Sequence, residues 1–288
     1  MSYSENLIQR INAELSALFA GKEPKVLYEA MAYSALAGGK RTRPVLLLAV
    51  CECMGGNVDR AMPFAMAVEL IHTYSLIHDD LPAMDNDALR RGKPTNHVVF
   101  GEAMAILAGD GLLNMAYELM SDACAAAVEM KYILAMKEIA AAAGAKGMVG
   151  GQAVDIISEG TEILEHILEY IHNHKTASMI SAALTAGAIL GGADEKNVEK
   201  FRRVGKLIGF AFQVKDDILD YTGDENTVGK SLRSDEKNRK TTYVSMHGLD
   251  RAASDFEKDM SDAVAILKSI DGSDNLIEIV GSMVHRDK

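Results

Sequence analysis

Apolar residues recur along this chain at three- and four-residue steps. Leu7, Ile11, Leu15, Leu18 and Phe19 share one side of a helical wheel, and Ile163, Ile167, Tyr170 and Ile171 repeat the pattern much later. No alternating apolar–polar run flanks a tight turn, so no β-hairpin is predicted. Proline occurs at positions 24, 44, 63, 82 and 94 and nowhere after, while Ala, Leu, Met, Glu and Lys fill the remainder, as helices prefer. Glycine clusters punctuate the helices at AGGK (37–40), MGGN (54–57), AAAGAKGMVGG (141–151), LGGADEKN (190–197) and YTGDENTVGK (221–230), the pairs reading as C-caps, with Asp194 placed to cap the helix after it. No Pro- or Ser-rich linker divides the chain. The pattern predicts an all-α fold, a single domain over 1–288 with about ten or more long helices.

Composition narrows the class. The formal net charge of −11 and pI near 5.2 argue against broad nucleic-acid binding and against adhesion to anionic membranes. Cys51, Cys53 and Cys124 are odd in number and form no C-x-x-C pair, which reads as reduced thiols in the cytoplasm. The N-terminal segment is polar and amphipathic, unlike a secretory signal. The long uncharged run TASMISAALTAGAILGGA (176–193) is made of small residues and lacks the Leu and Phe weight of a membrane span, so a buried helix is expected and the protein is expected to be soluble.

Acids then draw attention. Asp79, Asp80 and Asp85 follow an apolar helical run that begins near Ala65; Pro82 disfavours helix at Leu81, so the segment 81–85 should loop and swing Asp85 back toward Asp79. A second cluster stands in FQVKDDILD (212–220). There Asp216 and Asp220 lie one turn apart on one helix face, Asp217 is beside them, and Gln213 sits one turn before Asp216 or Asp217. Clustered carboxylates repel unless a cation lies between them, and all-oxygen ligands suit Mg²⁺. Neither cluster has the spacing of a calcium loop.

Basic residues gather nearby. GGKRTRP (38–44) brings Lys40, Arg41 and Arg43; LRRGKPTNH (89–97) brings Arg90, Arg91, Lys93 and His97; HNHKTAS brings Lys175 and Thr176. In so acidic a chain, these patches beside acids point to a multiply anionic ligand such as a diphosphate, which Arg grips with its two-pronged donor. His72 precedes Asp79 by seven residues, two helical turns, and shares its face. His78 beside Asp79 also leaves open a helical metal phosphohydrolase with a His-Asp pair.

DDLPAMD (79–85) followed by LRRGKPTNH resembles the first aspartate-rich motif of the trans-isoprenyl diphosphate synthases, and DDILDYTGD (216–224) resembles the second. GGKRTRP, GGQAVD (150–155), HKT (174–176), GK (229–230) and KTTY (240–243) match other landmarks of that family in order. The resemblance implies long helices around a deep central cavity, usually in a homodimer, with three Mg²⁺ ions clamping an allylic diphosphate between the motifs. It assigns Asp79, Asp85 and Asp216 as metal ligands, with Asp80, Asp217 and Asp220 as ligands or supporting groups. Arg90, Lys175, Thr176, Gln213 and Lys230 fall where the family holds the allylic diphosphate, and Lys40, Arg43, His72 and Arg91 where it holds isopentenyl diphosphate.

Product length in this family depends on what blocks the cavity below the first motif. Tyr74, with Ser75 one turn before Asp79, and the two extra residues of DDLPAMD resemble bacterial farnesyl diphosphate synthases, implying a C15 product; a geranylgeranyl or longer-chain synthase is the alternative. Ala88 and Arg233 depart from the family pattern, the latter within a 221–240 loop read as a lid. A non-catalytic subunit would have lost aspartates or basic residues, which this chain keeps, and a cyclase would not need GGKRTRP.

Overall fold

The structure, a computed structural model, describes residues 2–222 and 240–284. Helix α1 (Tyr3–Phe19) starts at a reciprocal cap between Ser2 and Glu5 and buries Leu7, Ile11, Leu15 and Phe19, the stripe expected of it. Helices α2 (Lys25–Ala35), α3 (Thr42–Cys53) and α4 (Val58–Asp79) follow, then α5 (Asn96–Phe100), α6 (Glu102–Ala127), α7 (Met130–Ala143), α8 (Met148–Ser158) and α9 (Glu165–Ile171). The second half holds α10 (Ser178–Gly191) and α11 (Glu195–Thr222), then α12 (Tyr243–His247), α13 (Leu249–Leu267) and α14 (Asp274–Val284). Asp194 caps α11, accepting the Asn197 N–H at 2.8 Å.

The uncharged run becomes α10, which is buried almost throughout and packs against α3, α7 and α11. Small residues permit this closeness. A Cβ on Gly187 would lie 2.4 Å from the Leu47 carbonyl oxygen, and one on Gly205 2.4 Å from Ser181 Cα, so backbone meets backbone at both points. Among the described residues no helix is long and apolar enough to cross a membrane.

Two expectations need revision, and one element was not anticipated. Helix α4 begins at Val58, well before Ala65, because the Asn57 side chain accepts the Arg60 N–H and Pro63 is accommodated inside the helix. A miniature hairpin does exist: Leu89–Arg90 pairs antiparallel with Lys93–Pro94. Its turn residues Arg91 and Gly92 both have positive φ (53° and 73°), the requirement usually met by Asn-Gly, and two-residue strands are too short to leave an alternating pattern. Finally, α9 does not pass smoothly into α10. Residues His172–Ala177 form a π-helical turn, a local widening often found at functional sites.

Candidate active site

Asp80 caps the C-terminus of α4, and the loop beyond it closes when the Asp85 N–H donates to the Asp79 carbonyl at 2.8 Å. That bond returns Asp85 to Asp79, as Pro82 led us to expect. Burial pushes the Asp79 carboxyl up to about 6, with Lys175 opposing the shift and Asp85 and Asp80 adding to it. A second carboxylate, Asp85, beside a buried one at the negative end of a helix makes a place where a cation is favoured. The donor set is all oxygen, which fits Mg²⁺. Among the described residues no three acids or histidines enclose an ion by themselves, so other ligands, such as phosphate oxygens and water, would have to complete the coordination.

Neighbouring residues of a helix point about 100° apart, and Asp80 consequently leaves this group. It is 3% exposed and accepts both Nε (2.9 Å) and Nη2 (2.6 Å) of Arg90. Thr73, Ile77 and Asp80 line a separate cleft with Tyr33, Arg90 and Arg91. Asp80, expected among the metal ligands, is engaged by the guanidinium that was expected on the allylic diphosphate. The fork needs the short hairpin, which brings Arg90 back across α4.

The second cluster divides in the same way. Asp217 is buried, accepts Gln213 Nε2 at 3.1 Å and the Tyr243 backbone N–H at 2.7 Å, and lies 3.6 Å from His172 Nε2. It therefore ties α11 to the start of α12. Burial lowers the His172 imidazole to about 4, so it sits there neutral. Asp216 and Asp220 are half-buried, one turn apart on α11. Gln213, whose partner the spacing left open, serves Asp217, and its Oε1 accepts the Thr176 hydroxyl at 2.8 Å.

The π-helical turn joins the two clusters. Lys175 Nζ donates to Asp155 of α8 at 2.6 Å, and its pKa is raised: burial opposes the charge, but Asp155 and Asp79 outweigh it. Lys240 Nζ reaches Asp85 at 3.0 Å, Glu159 at 3.1 Å and Asp155 at 3.7 Å. Asp155, Glu159 and Lys240 were not singled out from the sequence; only the landmarks GGQAVD and KTTY marked two of them.

A distinct basic group forms beside α4. Burial holds the His72 imidazole well below its ordinary value, with Arg43, Arg91, Arg90 and Arg41 adding to the effect, so a neutral ring stands among guanidinium groups. Arg91 is seated on the glycine loop, donating to the Gly38 carbonyl, and a Cβ on Gly39 would collide with it. Lys40 is exposed at the rim and Arg43 half-buried. Arg41 is different: it is 3% exposed and bonds Glu69 (2.5 Å), Asn12 Oδ1 (2.9 Å) and the Ala35 carbonyl (2.7 Å), so it clamps helices together.

Tyr74 is 6% exposed and meets His78 edge to face at 5.7 Å. The Ser75 hydroxyl donates to the His72 carbonyl within the helix. His78 packs on Gly109 of α6, with Nε2 3.1 Å from the Ile106 carbonyl. It thus faces α6, and the phosphohydrolase reading loses its histidine. Lys230 and Arg233 lie outside the described residues.

Residues 24–279 match the family described as polyprenyl synthetase. The chain is 51% identical over 227 residues to a farnesyl diphosphate synthase of Geobacillus stearothermophilus, covering 78% of this chain and 76% of that one. It is 48% identical over 264 residues to the heterodimeric geranylgeranyl pyrophosphate synthase large subunit 1, chloroplastic, of Arabidopsis thaliana, covering 90% and 71%. Among solved structures it resembles a geranyltransferase from Helicobacter pylori complexed with magnesium and isoprenyl diphosphate, with a TM-score of 0.83 at 34% identity over 99% of this chain and 97% of that one. An apo FPP/GFPP synthase from Zymomonas mobilis gives 0.85 at 33% identity, over 97% and 98%.

Proposed function

Since the chain belongs to the polyprenyl synthetase family and is a prenyltransferase, we propose that it condenses isopentenyl diphosphate with dimethylallyl and then geranyl diphosphate, releasing farnesyl diphosphate and diphosphate. The observation that carries this reading is the pairing of two anion-binding regions of different make-up. One combines Asp79, Asp85, Asp216 and Asp220 with Lys175, Thr176 and Gln213; the other is basic alone, with Lys40, Arg43, His72 and Arg91. The first suits a diphosphate that must leave, the second a diphosphate that only has to be held.

Asp79, Asp85, Asp216 and Asp220 would hold Mg²⁺, three ions with the diphosphate bound, and the metal would supply neutralisation of the leaving group's charge. Lys175 adds fixed positive charge where negative charge grows as the C–O bond breaks, a role that the resemblance also assigns to Lys230. Thr176 and Gln213 orient the diphosphate oxygens by hydrogen bonds. Arg90, anchored by Asp80, stands at the edge of this group with its direction fixed. Lys40, Arg43 and Arg91 hold isopentenyl diphosphate with its double bond toward the allylic carbon; the new bond forms there, and the proton lost afterwards passes to the released diphosphate.

For product length, Tyr74 supports a C15 stop: its ring is buried on the helix below Asp79 and braced by His78. The C20 reading draws on the names of the plant relatives. Val98, Val99, Ile106 and Leu107 are exposed apolar residues on consecutive helices, which supports a homodimer across α5 and α6. The free thiols Cys51, Cys53 and Cys124 support a reducing, cytoplasmic setting. Incubating purified protein with Mg²⁺, isopentenyl diphosphate and dimethylallyl diphosphate, with Asp79→Ala as control, tests the whole reading. A C15 product lost in the variant is expected; a C20 product would refute the Tyr74 stop alone, and no condensation would refute the reaction.

A further inference from the structure

Helix α8 touches Lys175 twice, at positions one turn apart. A Cβ on Gly151 would lie 2.2 Å from the Lys175 backbone nitrogen, so α8 is pressed directly against the π-helical turn. Four residues on, Asp155 accepts from Lys175 Nζ at 2.6 Å, with the carboxylate side chain 14% and the lysine side chain 25% exposed. Backbone and side chain of one lysine are thus fixed by one face of one helix. Lys240 is also near Asp155, but at 3.7 Å, and it has Asp85 and Glu159 at shorter distance. The partner that depends on Asp155 is Lys175.

We propose that Asp155 is a positioning residue for the allylic diphosphate subsite, acting through Lys175; this rests on the function proposed above. A free lysine side chain has four rotatable bonds and would sample many directions. Held at its ammonium by Asp155 and at its backbone by Gly151, it presents its remaining donors toward Asp79, whose charge it already feels. The carboxylate itself touches no substrate. Its contribution is a lysine aimed before the diphosphate arrives, which lowers the cost of ordering it on binding. Isopentenyl diphosphate, held by Lys40, Arg43 and Arg91, does not depend on this lysine.

The test compares wild type with Asp155→Asn, Lys175→Gln and the double variant. Loss of supporting groups of this kind typically lowers activity or affinity about 10–100-fold. Asp155→Asn is expected to lower kcat within that range and, by calorimetry, to weaken binding of inorganic diphosphate with Mg²⁺ by about tenfold or more. Isopentenyl diphosphate binding should change less than about twofold. If Asp155 works through Lys175, the double variant matches Lys175→Gln alone, a coupling that independent residues do not show. Should Asp155→Asn not fold, Asp155→Ser, alone and with Lys175→Gln, carries the same comparison. A double variant about tenfold or more below Lys175→Gln, wild-type behaviour of Asp155→Asn, or equal weakening for both diphosphates would overturn the proposal. A wild-type protein that does not condense the substrates would instead overturn the function it rests on.

Discussion

Arg41→Ala should cost more stability than any surface charge removal in this chain, and the reason can be worked from its surroundings. The guanidinium bonds three groups, Glu69, Asn12 and the Ala35 carbonyl, and joins α1, α2 and α4 at the start of α3. Side-chain exposure is 2% for Arg41 and 4% for Glu69, so water cannot replace the lost partner. Removing one member of a buried pair costs about 3–5 kcal/mol, because the other is left charged or must bind a proton. Arg41 also has φ of 50°, but alanine has a Cβ as arginine does, so backbone strain is unchanged by the substitution. With a urea slope of about 3 kcal/mol per M, the midpoint should fall by about 1–2 M at fixed protein concentration. Replacing both partners, Arg41→Met with Glu69→Leu, should recover most of the loss, since the uncompensated charge is gone. A fall under about 0.3 M for Arg41→Ala would refute the reasoning: Glu69 would then be stable without its partner.

Three further outcomes follow from other parts of the molecule. Tyr74→Ala should open the space below Asp79 and lengthen the main product by at least one C5 unit, read by mass spectrometry of the dephosphorylated prenols; an unchanged product would place the stop elsewhere. Cys51 is fully buried and burial raises its thiol to about 11, so below that pH it stays a protonated thiol; with an aromatic disulfide reagent at pH 8 it should react only after unfolding, and its prompt labelling in native protein would contradict this burial. Gly205→Ala should destabilise by about 1–3 kcal/mol, seen as a lower denaturation midpoint, because its methyl meets Ser181 Cα at 2.4 Å and backbones must part; an unchanged midpoint would mean the helices separate freely.

Much of this was legible in the sequence, and the misses have physical causes. Helical periodicity, late absence of proline and small-residue composition predicted the all-α fold and a buried α10. The motif residues predicted the loop that returns Asp85 to Asp79. Spacing alone could not show which partners each carboxylate of an Asp-Asp pair takes: adjacent helical residues diverge by about 100°, and the resemblance left Asp80 and Asp217 as ligands or supporting groups. Asp80 went to Arg90, turned back by the hairpin ten residues on, and Asp217 to His172 and Tyr243 on other helices. Arg41 read as one more anion-binding residue because its partners Asn12 and Glu69 lie on other helices. The Leu89–Pro94 hairpin, two residues a side, was too short to leave a period.

The π-helical turn at His172–Ala177 makes the spacing of the chain as consequential as its chemistry. One surplus residue in a turn rotates everything after it by about 100° relative to a continuous α-helix. Upstream of this dislocation the rod answers to α8; downstream it answers to α3, α7 and α11. Deleting the exposed Asn173 would remove no functional side chain, yet it would put Thr176 out of phase with Gln213, or else the whole of α10 out of phase with Leu47. Both alignments cannot survive a chain one residue shorter, so in this stretch length itself is under constraint, more than the identity of Asn173, whose side chain reaches only the Glu169 carbonyl.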